Sequence, residues 1–352
     1  MEFIGRNQIE KLTQIIKENN YQRVLLVTNR NSFVKSGLYD RLKPMLQNVI
    51  HERFFEFDVN PTFEDLLRGI EIARNLKPDL IAGIGGGSPM DIAKLIAVHH
   101  DKSNMQYDQL RDLSHSPIDT LMVPTTSGSG SEATRYAVIT HKQSKTSVAD
   151  ERLIPKYCIV DGSLSDSLPP SVTAYTGLDA ISQALESYWS VNANEISKKY
   201  ALDAIKLMAP SLVDAFKGNN PKARDMMAHG SFLAGKAIDI SATTAPHAFS
   251  YYLTDKYNVP HGQAVALLVP FFIKVNSTKV DLTEVLNLFN FKTTKELEDF
   301  YNKMLKEMGL YKKIEDIVDD KNDFISAVNE SKLVNNPVQL SKEEYYSLFF
   351  ES

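Results

Sequence analysis

The chain has 352 residues, with 39 Lys and Arg against 44 Asp and Glu, a formal net charge of −5 with histidine neutral. A 43% hydrophobic fraction beside 24% charged residues excludes a disordered or fibrous protein. The mild acidity offers no general attraction to nucleic acid or to a membrane, and no stretch reaches the ~18 uninterrupted apolar residues of a membrane span.

The opening MEFIGRNQIEKL turns polar too early for a secretory leader. The single cysteine, Cys158, can neither close an internal disulfide nor build a thiolate metal cluster. Both point to a cytoplasmic protein. Residues 24–28 (VLLVT), 80–84 (LIAGI), 121–123 (LMV) and 158–160 (CIV) read as buried strands. Residues 62–76 carry a helical stripe of Phe63, Leu66, Leu67, Ile70 and Ile72 between the first two. Strands alternating with helices imply a parallel, doubly wound sheet, covered on both faces. After Leu168-Pro169-Pro170 the pattern turns helical, over residues 178–189, 197–216 and 223–240. The reading is an α/β dinucleotide-binding domain over residues 1–162 and an all-helical domain over 163–352. The last ~80 residues, rich in lysine and glutamate, read as a solvated helical periphery.

The second strand runs straight into Gly85-Gly86-Gly87-Ser88-Pro89-Met90-Asp91-Ile92-Ala93-Lys94. Glycines there let the backbone approach a ligand, and the amides of the helix that follows favour a phosphate. The spacing is not GxGxxG, so the common dinucleotide fingerprint does not apply. A second loop, Pro124-Thr125-Thr126-Ser127-Gly128-Ser129-Gly130-Ser131-Glu132, follows the third strand and opens on the same sheet edge, where such folds bind ligands. In the helical half, Asp179 and Gln183 stand one turn apart, with His247 and His261 far downstream. A carboxylate and two imidazoles form a candidate divalent-metal set.

GGGSPMDIAK, PTTSGSGSE, TGLDAISQALESYW and the His247…His261 pair in PHAFSYYLTDKYNVPHG resemble, in order and spacing, the iron-containing (group III) alcohol dehydrogenase family. That resemblance covers the whole chain. It implies the α/β plus all-α architecture shared with dehydroquinate synthase, NAD(P)H between the domains, a metal beside the nicotinamide, and a homodimer. Gly85, Gly86, Gly87 and Ser88 then hold the pyrophosphate, with Asp91 and Lys94 at the edge of the cofactor site. Thr125, Thr126 and Ser129 line it, and Lys145 lies near the ribose. Asp179, Gln183, His247 and His261 become the metal ligands, zinc or iron(II), with glutamine where the family carries a fourth histidine. Tyr251 replaces the family's second downstream histidine and becomes a proton donor beside His247 and His261. Asn29, where NAD-preferring members carry aspartate, removes a charge; Arg30 adds a cation, which admits NADPH.

Gln183 with TTAPHAFSYYLT resembles the phosphonoacetaldehyde reductases, which make 2-hydroxyethylphosphonate, and Arg135 is the candidate cation for such a head group. A reductase of a simple aldehyde, polyol or maleylacetate-type acid, a dehydroquinate synthase-like cyclase, and a cofactor-binding protein without catalysis remain the alternatives.

Overall fold

The computed structural model describes residues 1–114, 116–142, 144–218 and 220–351. The chain divides into two compact units, one ending at Ser167 and one beginning at Leu168.

The first unit holds β1 (Glu2–Gly5), β2 (Arg23–Thr28), β3 (Ile50–Phe54), β4 (Leu80–Gly85), β5 (Asp119–Pro124), β6 (Tyr136–His141), β7 (Ser144–Ala149) and β8 (Tyr157–Asp161). Six of these form one sheet in the order β1-β8-β5-β4-β2-β3, parallel throughout. Side chains alternate across it. Leu25, Val27, Ile81 and Met122 join an apolar cluster with Leu66 and Ile96, while Val24, Leu26, Ile84 and Val123 join another with Leu12 and Ile15. Burial on both faces is why these strands read as unbroken apolar runs.

The sequence reading omitted β1 and β3, which are the sheet's two edges. An edge strand needs no apolar run, and Ile50, His51 and Glu52 of β3 are exposed. It also omitted β6 and β7, an antiparallel hairpin apart from the main sheet in which only Ala137, Ile139 and Val148 are buried. The Phe63–Leu76 helix begins at a reciprocal cap: Thr62 Oγ1 accepts from the Asp65 N–H at 3.2 Å, and Asp65 accepts from the Thr62 N–H at 2.7 Å.

The second unit is helical. Its central helix, Pro170–Trp189, starts with proline in the first turn and packs against helices Glu195–Met208, Pro221–Ser241 and His261–Asn276. Leu178, Ile181, Leu185 and Trp189 share one core with Ile205, Met208, Val265 and Phe272. The helix expected over 197–216 is two helices, Glu195–Met208 and Leu212–Lys217. Pro210 stands in the gap, with no N–H to donate and a ring that clashes with the preceding turn. The carboxyl-terminal segment is no mere solvated periphery. Leu297, Tyr301, Met304, Leu305, Phe324 and Phe349 enter the core, and the Phe249 ring meets those of Phe324 and Phe349 at 5.4 and 5.1 Å. Its lysines and glutamates occupy the other faces of amphipathic helices.

Candidate functional site

Three neighbouring strands, β5, β4 and β2, end together in polar loops. Gly85 closes β4 at φ +152°, and a methyl group there would lie 2.4 Å from Asn29 Oδ1 and 2.5 Å from Pro89 Cγ, so only glycine fits. Gly86 precedes the Gly87–His99 helix without a side-chain cap. The Thr125 N–H donates to the Gly85 carbonyl at 2.8 Å, Thr126 Oγ1 lies 3.5 Å from a methyl placed on Gly86, and Ser129 Cβ lies 3.2 Å from one on Gly87. Ser88 Oγ accepts from the Asn60 N–H at 3.2 Å. The structure therefore gathers Asn29, Gly85, Gly86, Gly87, Ser88, Thr125, Thr126 and Ser129 at one sheet edge. Most of them are half-exposed. Helix-start amides aimed at solvent beside hydroxyls suit a phosphate.

Asp91 and Lys94 lie on the helix that follows the glycine turn. The Asp91 carboxylate accepts from Ser131 Oγ at 2.5 Å and from the Val138 N–H at 3.0 Å. Lys94, 1% exposed, donates to the carbonyls of Thr134 and Tyr136 at 2.8 and 2.9 Å. Both fasten their helix to the PTTSGSGSE loop and the β6–β7 hairpin. Lys145 lies on β7, paired with Thr140. Arg135, offered as a substrate cation, sits 3.7 Å from the Glu151 carboxylate. Arg30 is exposed. Its loop is held by a residue the sequence reading missed, Arg53, which donates to Thr28 Oγ1 and the Asn29 carbonyl, each at 2.7 Å, and to the Arg30 carbonyl at 3.0 Å.

The second unit builds a separate polar centre. Asp179 and Gln183 share one face of the 170–189 helix; His247 is the third residue of the Ala245–Tyr257 helix, and His261 opens the His261–Asn276 helix. Ligand atoms of Asp179, His247 and His261 all lie within 4.8 Å of one another. His247 Nε2 stands 3.2 Å from Asp179 Oδ1, and the two imidazoles are 5.5 Å apart by ring centre. Tyr251 stacks on His261 at 5.8 Å. Gly262 makes this convergence attainable, because a methyl group there would lie 1.8 Å from the Tyr175 carbonyl oxygen. Among the described residues, Gln183 Oε1 is buried with no hydrogen-bond donor. An undonated amide oxygen one turn from a carboxylate and two imidazoles fits a divalent cation.

Glu186, fully buried, escaped the sequence reading. Its Oε1 accepts from the Thr244 N–H at 2.9 Å, Thr244 Oγ1 at 3.1 Å and the His247 N–H at 3.2 Å, while Oε2 meets His247 Nδ1. A glutamate in ALESYW looks like a solvated helix face; its position seven residues after Asp179 was the only local signal. Burial lowers the His247 pKa, but the charge of Glu186 and the hydrogen bonds to Asp179 and Glu186 outweigh it and bring it to about 9. Burial of its hydroxyl, then the charges of Asp179, Glu186 and Asp255, push Tyr251 up to about 12. Half-buried Lys332 was missed too. Its segment is tied to the start of the His247 helix by the Asn329 N–H, 3.2 Å from the Ala248 carbonyl, and by Asn335 Nδ2, 3.0 Å from the Thr243 carbonyl. Burial lowers the Lys332 pKa and the Glu186 charge opposes that.

A parallel sheet with a glycine turn at its carboxyl edge, followed in one chain by a helical unit with a cluster that could hold a cation, is compatible with binding a dinucleotide and a metal ion. The family profile for iron-containing alcohol dehydrogenase matches residues 2–162, and that for the carboxyl-terminal region of the Fe-containing alcohol dehydrogenase family matches residues 173–352. Long-chain-alcohol dehydrogenase 1 of Geobacillus thermodenitrificans is 36% identical over 287 residues, 78% of this chain and 72% of that protein. The NADPH-dependent butanol dehydrogenase of Clostridium saccharobutylicum is 28% identical across 99% of this chain and 95% of its own. In structure, the sulfoacetaldehyde reductase of Bifidobacterium kashiwanohense in complex with NAD+ superposes with a TM-score of 0.93 at 26% identity, covering 100% of this chain and 96% of that one. The chain belongs to the iron-containing alcohol dehydrogenase family and is an alcohol and aldehyde oxidoreductase. NAD(P) and a divalent metal, the cofactors expected from the sequence, are those of the family.

Proposed function

We propose that the chain reduces a small aldehyde with an anionic head group to the primary alcohol, using NAD(P)H and a divalent cation held by Asp179, Gln183, His247 and His261. The convergence of Asp179, His247 and His261 within 4.8 Å carries this reading. A bound cation supplies Lewis acidity toward a carbonyl oxygen, and the nicotinamide supplies the hydride. Asp179 brings the negative charge of the ligand set, and the two imidazoles bind as neutral donors. Tyr251 keeps its hydroxyl proton up to about pH 12, so at neutral pH its Oη donates to a developing alkoxide and does not act as a base. The amides of Gly87 and Ser88 and the hydroxyls of Ser88, Thr125, Thr126 and Ser129 hold the cofactor phosphates and ribose. Asn29, which presents no carboxylate to a 2′-phosphate, leaves NADPH acceptable.

Phosphonoacetaldehyde, giving 2-hydroxyethylphosphonate, is the proposed substrate. Gln183 and TTAPHAFSYYLT support it, as does likeness to an enzyme named for sulfoacetaldehyde, whose anionic group is similarly placed. Lys332 supplies the cation in the helical unit. The test is a panel of phosphonoacetaldehyde, sulfoacetaldehyde, acetaldehyde and butanal with NADH or NADPH, on protein loaded with zinc or iron(II). One nicotinamide oxidised per anionic aldehyde, at a kcat/KM at least tenfold above the uncharged ones, is expected; a tenfold preference is about 1.4 kcal/mol. Equal or better use of uncharged aldehydes overturns the substrate assignment, and no nicotinamide oxidation with any of the four overturns the reductase reading. Lys332→Met should raise KM for the anionic aldehydes alone.

A further inference from the structure

We infer that Glu186 is a positioning residue: one carboxylate sets the tautomer of His247 and ties that imidazole to the start of its own helix. The inference rests on the metal centre proposed above. Thr244 precedes the Ala245–Tyr257 helix and makes no side-chain cap of its own, and Pro246 has no N–H. Of the donors at this helix start, those of Thr244 and His247 both go to Glu186 Oε1, at 2.9 and 3.2 Å. Glu186 thus performs from another helix what a capping box does locally. Trp189, one turn further along, donates Nε1–H to Thr244 Oγ1 at 2.9 Å and braces the same junction.

The other carboxylate oxygen faces His247 Nδ1. An ionised carboxylate only accepts, so it selects the Nδ1–H tautomer. Nε2, 3.2 Å from Asp179 Oδ1, is then the nitrogen left to bind a cation. Because cap and imidazole share one group, helix start and ligand cannot move independently. Among the described residues Glu186 alone partners His247 Nδ1, so the orientation depends on this carboxylate.

Glu186→Gln separates the two duties. Its amide oxygen can still accept the three donors, but its NH2 then faces Nδ1 and forces the ring proton onto Nε2. Zinc affinity, read by competition with a chelator, should fall 10–100-fold, and the visible spectrum of bound cobalt should change, while the metal-free variant keeps the wild-type far-ultraviolet circular dichroism. A folded variant with wild-type zinc affinity and cobalt spectrum overturns the inference and leaves the metal centre standing. Wild-type protein that takes up neither cation removes both. Should the variant fail to fold, NMR of histidine-labelled, zinc-loaded wild type decides. A proton on His247 Nδ1 with zinc on Nε2 is expected, and the reverse arrangement overturns the role.

Discussion

A methyl group on Gly262 would sit 1.8 Å from the Tyr175 carbonyl oxygen and 3.1 Å from Asp179 Cβ. Both are contacts with the 170–189 helix, so Gly262 sets how closely His261, its neighbour, can stand to Asp179. Gly262→Ala should push the 261–276 helix away, destabilise the fold by about 1–3 kcal/mol and abolish tight zinc retention. Denaturant unfolding and metal content after dialysis check it; a stoichiometric ion surviving in the variant would show that the close approach does not place His261. Gln183→His tests the same centre from the opposite side. An imidazole is a better donor than an amide oxygen for a borderline cation. The variant should hold zinc at least tenfold more tightly, about 1.4 kcal/mol, by chelator competition, and unchanged affinity would mean that residue 183 does not reach the ion. Asp179, His247 and His261 were legible because their spacing, with the motifs around them, fits a ligand set. Glu186 and Lys332 were not. What distinguishes each is burial and partners more than fifty residues away in sequence, which no local pattern records.

Elements divide along the same physical line. β2, β4, β5 and β8 stood out because both faces of each are buried, whereas β1 and β3 at the edges and the β6–β7 hairpin need no continuous apolar run. The family resemblance puts Asp91 and Lys94 at the edge of the cofactor site. The hairpin that claims them, through Val138 and Tyr136, was invisible, so their use as fasteners was invisible too. Between the Pro221–Ser241 and Ala245–Tyr257 helices the chain turns at Ala242 with φ +58° and ψ 176°, a region essentially reserved for glycine. That turn is held on the 170–189 helix by Ser190 Oγ donating to the Ser241 carbonyl at 2.7 Å and by Ser241 Oγ donating to Ser187 Oγ at 2.7 Å. Strain held in place two residues before the Glu186-bound Thr244 serves delivery of His247. Ala242→Gly should relieve roughly 1–3 kcal/mol of strain and lose roughly 0.5–1 kcal/mol to backbone entropy. A net stabilisation of about 1 kcal/mol in thermal or denaturant unfolding is expected, and a destabilised variant would show that the turn is unstrained.

Protonation links the metal centre to the stability of the whole molecule. His247, at about 9 in the folded protein against 6.5 unfolded, retains its proton where the unfolded chain has lost it. Its contribution is therefore complete below pH 6.5 and disappears as pH rises through 9. Glu132, 3% exposed and raised to about 7 chiefly by burial, acts in the same direction from its unfolded value of 4.5 up to 7. His99 acts oppositely. Burial, then the Lys102 charge, lowers it to about 4, so its penalty is relieved as pH climbs from 4 to 6.5. Glu132 and His99 largely offset each other below pH 6.5, and above it the loss through His247 prevails. Metal-free protein should accordingly lose stability between pH 6.5 and 9. Binding a cation reverses the trend, because His247 must surrender a proton to become a ligand. Zinc uptake should release close to one proton per ion near pH 7.5, falling to about half a proton at pH 9, and its affinity should rise with pH across that window. Titration calorimetry in buffers of different ionisation enthalpy measures the proton count, and Glu132→Gln should leave it unchanged while uncovering the His99 contribution, so that metal-free stability climbs between pH 4.5 and 6.5. Uptake with no proton release at pH 7.5 would mean that His247 is already neutral there, and that the Glu186 and Asp179 carboxylates do not hold its proton against burial.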